Sequence, residues 1–241
     1  MTLTLQGIPS RSSCIFLSPS NIEKITQGRL TINGMGERNN VVAFHPNFHE
    51  FRGNARINFW GSGNFLYLDQ NSPLEGEINF PEDDGCAYIY GGMPTLRLTA
   101  GIYKKSTFVW GFETVSFGTS VWVHGGCTCN IGEKGLWSEG IQVRTSDHHA
   151  IVDLGTGTIL NSPRDVLIGR RVWIGAQVCI LKGTQISDGS IVGARTVVSG
   201  PIGENELWAG TPARKLRGNV SWSGVSDPSP EAIKNLISGN V

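Results

Sequence analysis

The sequence has few charged residues and no excess of either sign. Lysine and arginine total 20, aspartate and glutamate total 20, and charged residues make up 17% of the 241 positions. A protein without net charge exerts no broad electrostatic attraction on nucleic acid or on an anionic membrane. We therefore expect neither of these among its partners.

The sequence also lacks a long apolar run. No stretch is apolar for the length that a bilayer requires, so no transmembrane segment is predicted. The first residues, MTLTLQGIPSRSSCIF, have no basic start followed by an apolar run, which argues against a secretory signal. Five cysteines, an odd number at irregular spacing, favour reduced thiols over a disulfide framework. These absences together predict a cytoplasmic protein.

What the sequence has in abundance is glycine, with 32 residues, together with a repeat of six residues. From Asp165 the chain runs DVLIGR RVWIGA QVCILK GTQISD GSIVGA RTVVSG. An aliphatic residue recurs at every sixth position, and a β-branched or small residue stands two positions before each. The aliphatic positions are Ile168, Ile174, Ile180, Ile186, Val192 and Val198.

A period of six fits neither an α-helix nor a hairpin. The repeat instead predicts an all-β solenoid, in which six residues form one short parallel strand and a turn, and three such units complete a coil. Each aliphatic side chain then stacks on the one 18 positions away and fills the interior. Glycines that follow the aliphatic positions, such as Gly169 and Gly175, suit the tight corners.

A looser repeat upstream extends the solenoid toward the N-terminus. RINFWGSGNFLYLD (56–69) and GEINFPEDDGCAYIY (76–90) align so that Ile57 pairs with Ile78 and Phe59 with Phe80. We predict an N-terminal cap at 1–29, a solenoid at 30–209 with a loop insertion at 153–165, and a tail at 210–241. Within the tail, SPEAIKNLISG has the capping residues of a short helix, which begins at Pro230 and ends at Gly239.

Residues 131–217 carry motifs of a known family. They contain SDxHxI at 146–151, VWIG at 172–175, the hexads, and GTPAR at 210–214. On these motifs the chain resembles the hexapeptide-repeat acyltransferases, and most of all the galactoside, maltose, capsular and lipopolysaccharide O-acetyltransferases. The resemblance implies a left-handed parallel β-helix, a homotrimer, and transfer of acetyl from acetyl-CoA to a sugar hydroxyl. It also implies G-x-x-N turns, with Asn39 and Asn64 in that role.

The resemblance selects one of two adjacent histidines. Family members have a catalytic histidine 24 residues before the tryptophan of VWIG, and counting back from Trp173 gives His149. His149 would act as general base on the acceptor hydroxyl. If the backbone is extended there, Asp147 and His149 share a side, so that Asp147 can orient the ring while His148 points away. Trp173 should face outward, and the resemblance makes it a wall of the site, although an interface remains an alternative.

Coenzyme A contacts are also implied by the resemblance. The matching positions are Ala176, Ala194, Ser199, Gly200, Arg214 and Arg217. The two arginines suit phosphate groups. Many relatives have Thr-Lys where this chain has Ser199-Gly200, so Arg195 or Lys215 is a candidate substitute for the missing cation.

Other functions are compatible with the same solenoid. The acceptor could be the amine of a nucleotide sugar or another small molecule, or the protein could be a glycan-binding solenoid without catalysis. A zinc site built from His45, His49 and His124 is disfavoured because these histidines do not recur at comparable coil spacings. We therefore expect acetyl-CoA and a sugar or polysaccharide as partners, and no metal.

Overall fold

The computed structural model describes residues 13–18, 20–35, 38–48, 51–69 and 72–239. Residues 1–12 and 19 of the predicted cap, and His49, therefore lie outside the described residues. The first elements are β1 (Ile15–Phe16), α1 (Ile22–Thr26), β2 (Leu30–Asn33), β3 (Val41–Phe44), β4 (Asn54–Phe59), β5 (Phe65–Leu68), β6 (Leu74–Phe80), β7 (Cys86–Ile89), β8 (Leu96–Ile102), β9 (Thr107–Trp110) and β10 (Val115–Val123).

The remaining strands are shorter, and one further helix follows them. They are β11 (Thr128–Ile131), β12 (Leu136–Trp137), β13 (Ile141–Arg144), β14 (Val166–Ile168), β15 (Trp173–Ile174), β16 (Cys179–Ile180), β17 (Gln185–Ile186), β18 (Ile191–Val192), β19 (Val197–Val198), β20 (Pro201–Ile202), β21 (Glu206–Ala209), β22 (Arg214–Gly218) and α2 (Pro230–Ser238). Neither of the two helices that the structure describes has the length and apolar character needed to cross a bilayer.

The strands stack in parallel from one coil to the next and form an all-β solenoid. One column of strands runs β3-β5-β7-β9-β11-β14-β17-β20, and another runs β2-β4-β6-β8-β10-β12-β15-β18-β21. The predicted pairs Ile57–Ile78 and Phe59–Phe80 are confirmed as register partners of β4 and β6. At the end of the solenoid, β22 folds back antiparallel on β21.

The coils change their cross-section at β10. This nine-residue strand pairs with β8 on one side and with both β12 and β13 on the other. Gly140, with φ of 71°, lies between β12 and β13 and supplies the left-handed backbone of a new corner. The prediction of three strands per coil therefore holds from β12 onward and is wrong for the earlier coils, which have two strands each.

The inward positions of the repeat form the core of the C-terminal coils. All six predicted aliphatic residues are buried, as are the six residues two positions before them. Ile168 pairs with Ile186, which confirms the step of 18 positions. The N-terminal coils combine aromatic rings with aliphatic residues in their interior, and the rings of Trp110 and Trp137 lie 5.3 Å apart where the two regions meet.

A buried asparagine pair supports one corner of the N-terminal coils. The backbone N–H of Asn64 donates to Oδ1 of Asn40 at 3.0 Å, and Oδ1 of Asn64 accepts from the N–H of Gly85 at 2.8 Å. The sequence-based assignment of Asn39 to this role is wrong by one position. Asn39 is exposed, with φ of 60°, because it forms the turn itself while Asn40 points inward.

The predicted C-terminal helix is confirmed as α2. The side chain of Ser229 accepts a hydrogen bond from the N–H of Ala232, Pro230 occupies the first turn, and Gly239 ends the helix at φ 73°. Within Pro230–Ser238 no residue is buried. The helix therefore presents Ile233 and Ile237 on the surface of the chain.

A long excursion, which we name the arm (residues 146–164), interrupts the C-terminal coils. It leaves at Thr145 and returns at Arg164, whose N–H donates to the Thr145 carbonyl at 3.0 Å. As a result, Leu136 pairs with Trp173, 37 positions later, whereas Trp173 pairs with Ile191 after the usual 18. The predicted loop at 153–165 thus begins earlier than expected, because the adjacent histidines already belong to it.

Replacing a stacked aliphatic residue should destabilise the solenoid. Ile180 is fully buried, and Ile180→Ala removes its contacts with the coils above and below, so we expect a loss of about 2–5 kcal/mol. Gln185→Ala, at an exposed position of the next hexad, is the matched control and should change stability by less than about 0.5 kcal/mol. Denaturant unfolding of both variants provides the measurement, and equal losses would contradict the inward orientation.

Candidate functional site

His149 lies at the base of the arm, just after β13 and beside the corner at Thr145. The segment is not extended there: His148 has φ of 65° and both histidines lie in bends. The alternation argument for Asp147 and His149 is therefore wrong, because side chains alternate only along a strand. His149 is exposed, and its ring forms no hydrogen bond with any described residue. Its nitrogens are thus available to a substrate.

Asn161 holds the backbone of His149 in place. Its Nδ2 donates to the carbonyl of His149 and to Oδ2 of Asp147, both at 2.8 Å. Its Oδ1 accepts from the N–H of Ile151 at 2.6 Å. The returning part of the arm therefore fastens the outgoing part on both sides of His149.

Lys182 ties this arrangement to the next coil. Its Nζ forms an ion pair with Asp147 Oδ2 and donates to the Asn161 carbonyl, the latter at 3.1 Å. The hydrogen bond from Lys182, followed by that from Asn161, holds the pKa of Asp147 below its usual value. The carboxylate thus acts on the backbone of the segment, and among the described residues its side-chain partners are Lys182 and Asn161, not the His149 ring that it was expected to orient.

Asn161 and Lys182 were missed by the sequence analysis. The Asp147–Lys182 contact spans 35 positions, and the hexad pattern specifies which residues point inward, not which corner side chains meet. The sequence offered one signal for Lys182: it is a charged residue two positions after the inward Ile180, in a chain with few charges.

A column of stacked rings stands beside the two histidines. The ring of His124 stacks on Tyr103 with centroids 3.5 Å apart, and His148 meets His124 edge-on at 4.0 Å. His148 was expected to point away from Asp147 and His149 because the backbone was taken as extended, and the bend removes the basis of that expectation. Its left-handed backbone turns the ring onto residues of the preceding coils.

His124 is the strongly perturbed group of this column. Burial is the main cause that lowers its pKa to about 4, the charges of His148 and Arg144 add to the effect, and Glu82 opposes it. Nε2 of His124 is buried and has no hydrogen-bond partner among the described residues. The ring is therefore neutral at physiological pH and packs as an aromatic residue.

This pKa predicts acid sensitivity. An unfolded histidine titrates near 6.5, so between pH 6.5 and 4 the unfolded state binds more protons at this position, and stability is lost as the pH falls through that window. His124→Phe keeps the stack without the titration. Its melting temperature should therefore fall less between pH 7 and pH 4.5 than that of the unsubstituted protein. Tyr103→Phe, which leaves His124 in place, should retain the full decrease; equal decreases in all three proteins would refute the assignment.

Trp173 faces outward, as predicted, with 40% of its surface exposed. Its ring neighbour among the described residues is Trp222, 6.4 Å away, which follows β22. Trp173 lies in the β12-β15-β18 column, whereas His149 follows β13 in the adjoining β13-β16-β19 column. A single copy of the chain thus places Trp173 and His149 on different faces of the coil.

The residues expected to contact coenzyme A lie along the two corners that border β16 and β19. Ala176 and Ala194 precede these strands, and the Ala176 carbonyl accepts from the N–H of Arg195 at 2.8 Å. Ser199 and Gly200 follow β19 and line a small cleft together with Arg214. Arg217 is exposed on β22. The structure thus brings Ser199, Gly200 and Arg214 together and leaves the others on neighbouring surfaces.

The two substitute cations are partly engaged. Lys215 pairs with Glu206, and Nε of Arg195 donates to Oε1 of Gln177 at 3.0 Å. A larger cleft of about 560 Å³ lies between Arg171 and Ile233 of α2, and its lining includes none of the candidate site residues. Across the described ranges, no group of three His, Cys, Asp or Glu side chains could hold a metal ion.

Comparison with known proteins gives the site a context. No protein-family model matches the chain. A polysialic acid O-acetyltransferase of Escherichia coli O1:K1 / APEC is 27% identical over 159 residues, which cover 66% of this chain and 45% of that protein. The galactoside O-acetyltransferase of Escherichia coli K12 is 33% identical over 91 residues, or 37% of this chain and 44% of that one. The chain spans less than half the length of each.

A solved structure matches over most of the chain. The polySia specific acetyltransferase NeuO superposes with a TM-score of 0.73 at 21% identity, covering 89% of this chain and 93% of that one. The chain therefore shares the β-solenoid fold of that structure. The polysialic acid O-acetyltransferase OatWY superposes with a TM-score of 0.59 at 22% identity. The predicted resemblance is thereby confirmed, as is an all-β solenoid of the left-handed-helix type with a short C-terminal helix.

Proposed function

We propose that the protein is an acetyl-CoA-dependent O-acetyltransferase that acetylates a sugar hydroxyl of a polysaccharide or glycan precursor, with His149 as general base. The observation that carries this proposal is the position of His149. Its backbone is fixed by Asn161 and, through Asp147, by Lys182, while its ring stays exposed and without a partner among the described residues. A fixed backbone with a free imidazole is what a general base requires.

The chemistry follows from the properties of the two substrates. A sugar hydroxyl is a weak nucleophile at neutral pH, so His149 accepts its proton as the oxygen attacks the thioester carbonyl carbon. The tetrahedral intermediate then collapses, the carbon–sulfur bond breaks, and the histidine returns the proton to the departing thiolate. Asp147 and Lys182 act as positioning residues, since their contacts hold the segment that carries His149.

The donor would lie along the β13-β16-β19 face. Ser199, Gly200 and Arg214 border one cleft on this side of the solenoid, while Ala176 and Ala194 have small side chains at the opposite corner, which leave room for an extended ligand. Arg214 and Arg217 would contact phosphate groups, for which guanidinium is well suited.

A homotrimer with the site between copies completes the proposal. Trp173 is exposed on a face that His149 does not share, so Trp173 would form a wall of the site only across an interface. The arm supports this arrangement because its apolar residues Ile151, Leu154 and Leu160 are exposed in the single chain, Leu154 at 99%. In this proposal the protein is cytoplasmic and uses the acetyl-CoA of that compartment as its acetyl donor.

Loss of the imidazole should abolish transfer. With acetyl-CoA and a panel of sugars, we expect His149→Ala to reduce thiol release at least about 100-fold, the usual contribution of a general base. His45→Gln is the matched control, since His45 lies at the end of β3 with its Nδ1 accepting from the N–H of Asn47 at 3.0 Å, and it should retain full activity.

Three results would revise the proposal. Unchanged turnover of His149→Ala would exclude the general-base role. Acetylation of amino sugars with no acetylation of hydroxyl acceptors would favour N-acetyl transfer. Binding of a glycan without thiol release from acetyl-CoA would favour a binding module.

The arm should contribute to assembly. Replacing Leu154 and Leu160 with glutamate places two charges on the apolar surface that we propose is covered in the trimer, so analytical ultracentrifugation should show a shift toward monomer. Thr156→Ser, a change at a polar position of the arm tip, should leave the sedimentation unchanged. A monomeric unsubstituted protein would exclude the intersubunit site.

A further inference from the structure

Arg144 is a cation that contacts His148, the residue before His149, and has no acidic partner among the described residues. It ends β13 and pairs in register with Trp122 of the preceding coil. Its guanidinium carbon lies 4.5 Å from the centre of the Trp122 ring, a favourable cation–π distance. The ion pairs within the part of the chain that the structure describes do not include Arg144.

A second ring contact fixes the orientation of the guanidinium. Nη1 of Arg144 donates to Nε2 of His148 at 3.4 Å. Since guanidinium has only donors, His148 Nε2 is the acceptor of this contact. His148 is in turn held by His124 and Tyr103, whose rings lie 4.0 Å and 6.4 Å from its own. Arg144 is therefore positioned by two contacts that leave its positive charge unneutralised.

Two acids near this cluster, Glu82 and Asp147, have other partners. Oε2 of Glu82 accepts from the N–H of Lys104 at 3.0 Å, and Asp147 pairs with Lys182. The charge of Arg144 reaches the neighbouring groups: it adds to the burial that lowers the pKa of His124, and it opposes the burial that raises the pKa of Cys179. Arg144 thus carries a positive charge without an ion-pair partner among the described residues, although the whole chain has no net charge.

We propose that Arg144 binds a carboxylate of the acceptor and that the acceptor is therefore an acidic sugar, an inference that rests on the proposed function. Arg144 lies in the coil that precedes the arm, whereas the residues proposed to contact the donor all lie in later coils, so the two ligands would approach His149 from opposite sides. A guanidinium with free N–H groups matches a carboxylate with two parallel hydrogen bonds.

Kinetics with paired acceptors test this assignment. The acceptors are a sialic acid oligomer, a hexuronic acid oligomer, and the same oligomers with each carboxylate reduced to a primary alcohol. We expect Arg144→Gln to raise the KM for an acidic acceptor about 10- to 100-fold and to leave the KM for acetyl-CoA unchanged. The variant should no longer prefer the acidic acceptor over its reduced form. Arg144→Lys, which keeps the charge, should recover part of the preference.

Arg97→Gln is the matched control. Arg97 lies on β8 of the same sheet, is exposed, and pairs with Glu75, so its replacement should change neither KM. An increase in the KM for acetyl-CoA in Arg144→Gln, with the acceptor preference kept, would overturn the proposal and assign the cation to a donor phosphate. A loss of assembly in Arg144→Gln would instead assign Arg144 to a contact between copies and would also overturn it.

Equilibrium binding separates this proposal from the proposed function. If no acceptor supports thiol release, calorimetry with the same oligomers still compares the unsubstituted protein with Arg144→Gln. Binding of an acidic oligomer that requires both the carboxylate and Arg144 supports the acidic ligand even if acetyl transfer fails. Equal binding of acidic and reduced oligomers, or binding of neither, overturns it.

Discussion

The stacking of each coil on the next is the constraint on which the structure depends. Inward aliphatic side chains such as Ile168 and Ile186 must lie above one another, and the backbone groups of each strand must pair with those of the neighbouring coils. Corners are therefore repeated at fixed places, and side chains from distant parts of the sequence are aligned along the outside. Arg144 and Trp122 meet for this reason. The stacked coils position the residues of the candidate site. The identities of its polar residues, however, are not specified by the six-residue pattern.

The parts of the fold that obey a strict period could be predicted from the sequence. In the C-terminal coils the identity of every sixth residue determines which side chains are buried, so the core and its 18-position step follow directly. The N-terminal coils were less predictable because their interiors mix aromatic with aliphatic side chains and their strands are longer. The corner at Gly140 separates β12 from β13, whereas β10 passes the same level as one strand with a bulge between Ser116 and Thr119.

The site was predictable only in part, for a related reason. Motif spacing selects His149, but the expected roles of its neighbours assumed an extended backbone. The left-handed conformation of His148 breaks the alternation on which those roles rested, and its ring packs on His124 and Tyr103. Asn161 and Lys182 could not be found by spacing, because their contacts with Asp147 depend on how the arm folds back. The arm has no repeat, and a one-position error such as Asn39 for Asn40 arises wherever a turn interrupts the pattern.

The two ends of the arm meet at a hydrogen bond between Arg164 and Thr145, within a single coil. Strand pairing resumes after it as though the arm were absent, with Trp173 in register beneath Leu136 and above Ile191. The length and composition of the arm therefore have little effect on strand pairing. The remaining cost is the entropy of closing the loop, which grows slowly with length. Such a junction allows one arm to be exchanged for another while the scaffold is kept. A solenoid can in this way acquire a different recognition surface while its core and its strand pairing stay the same.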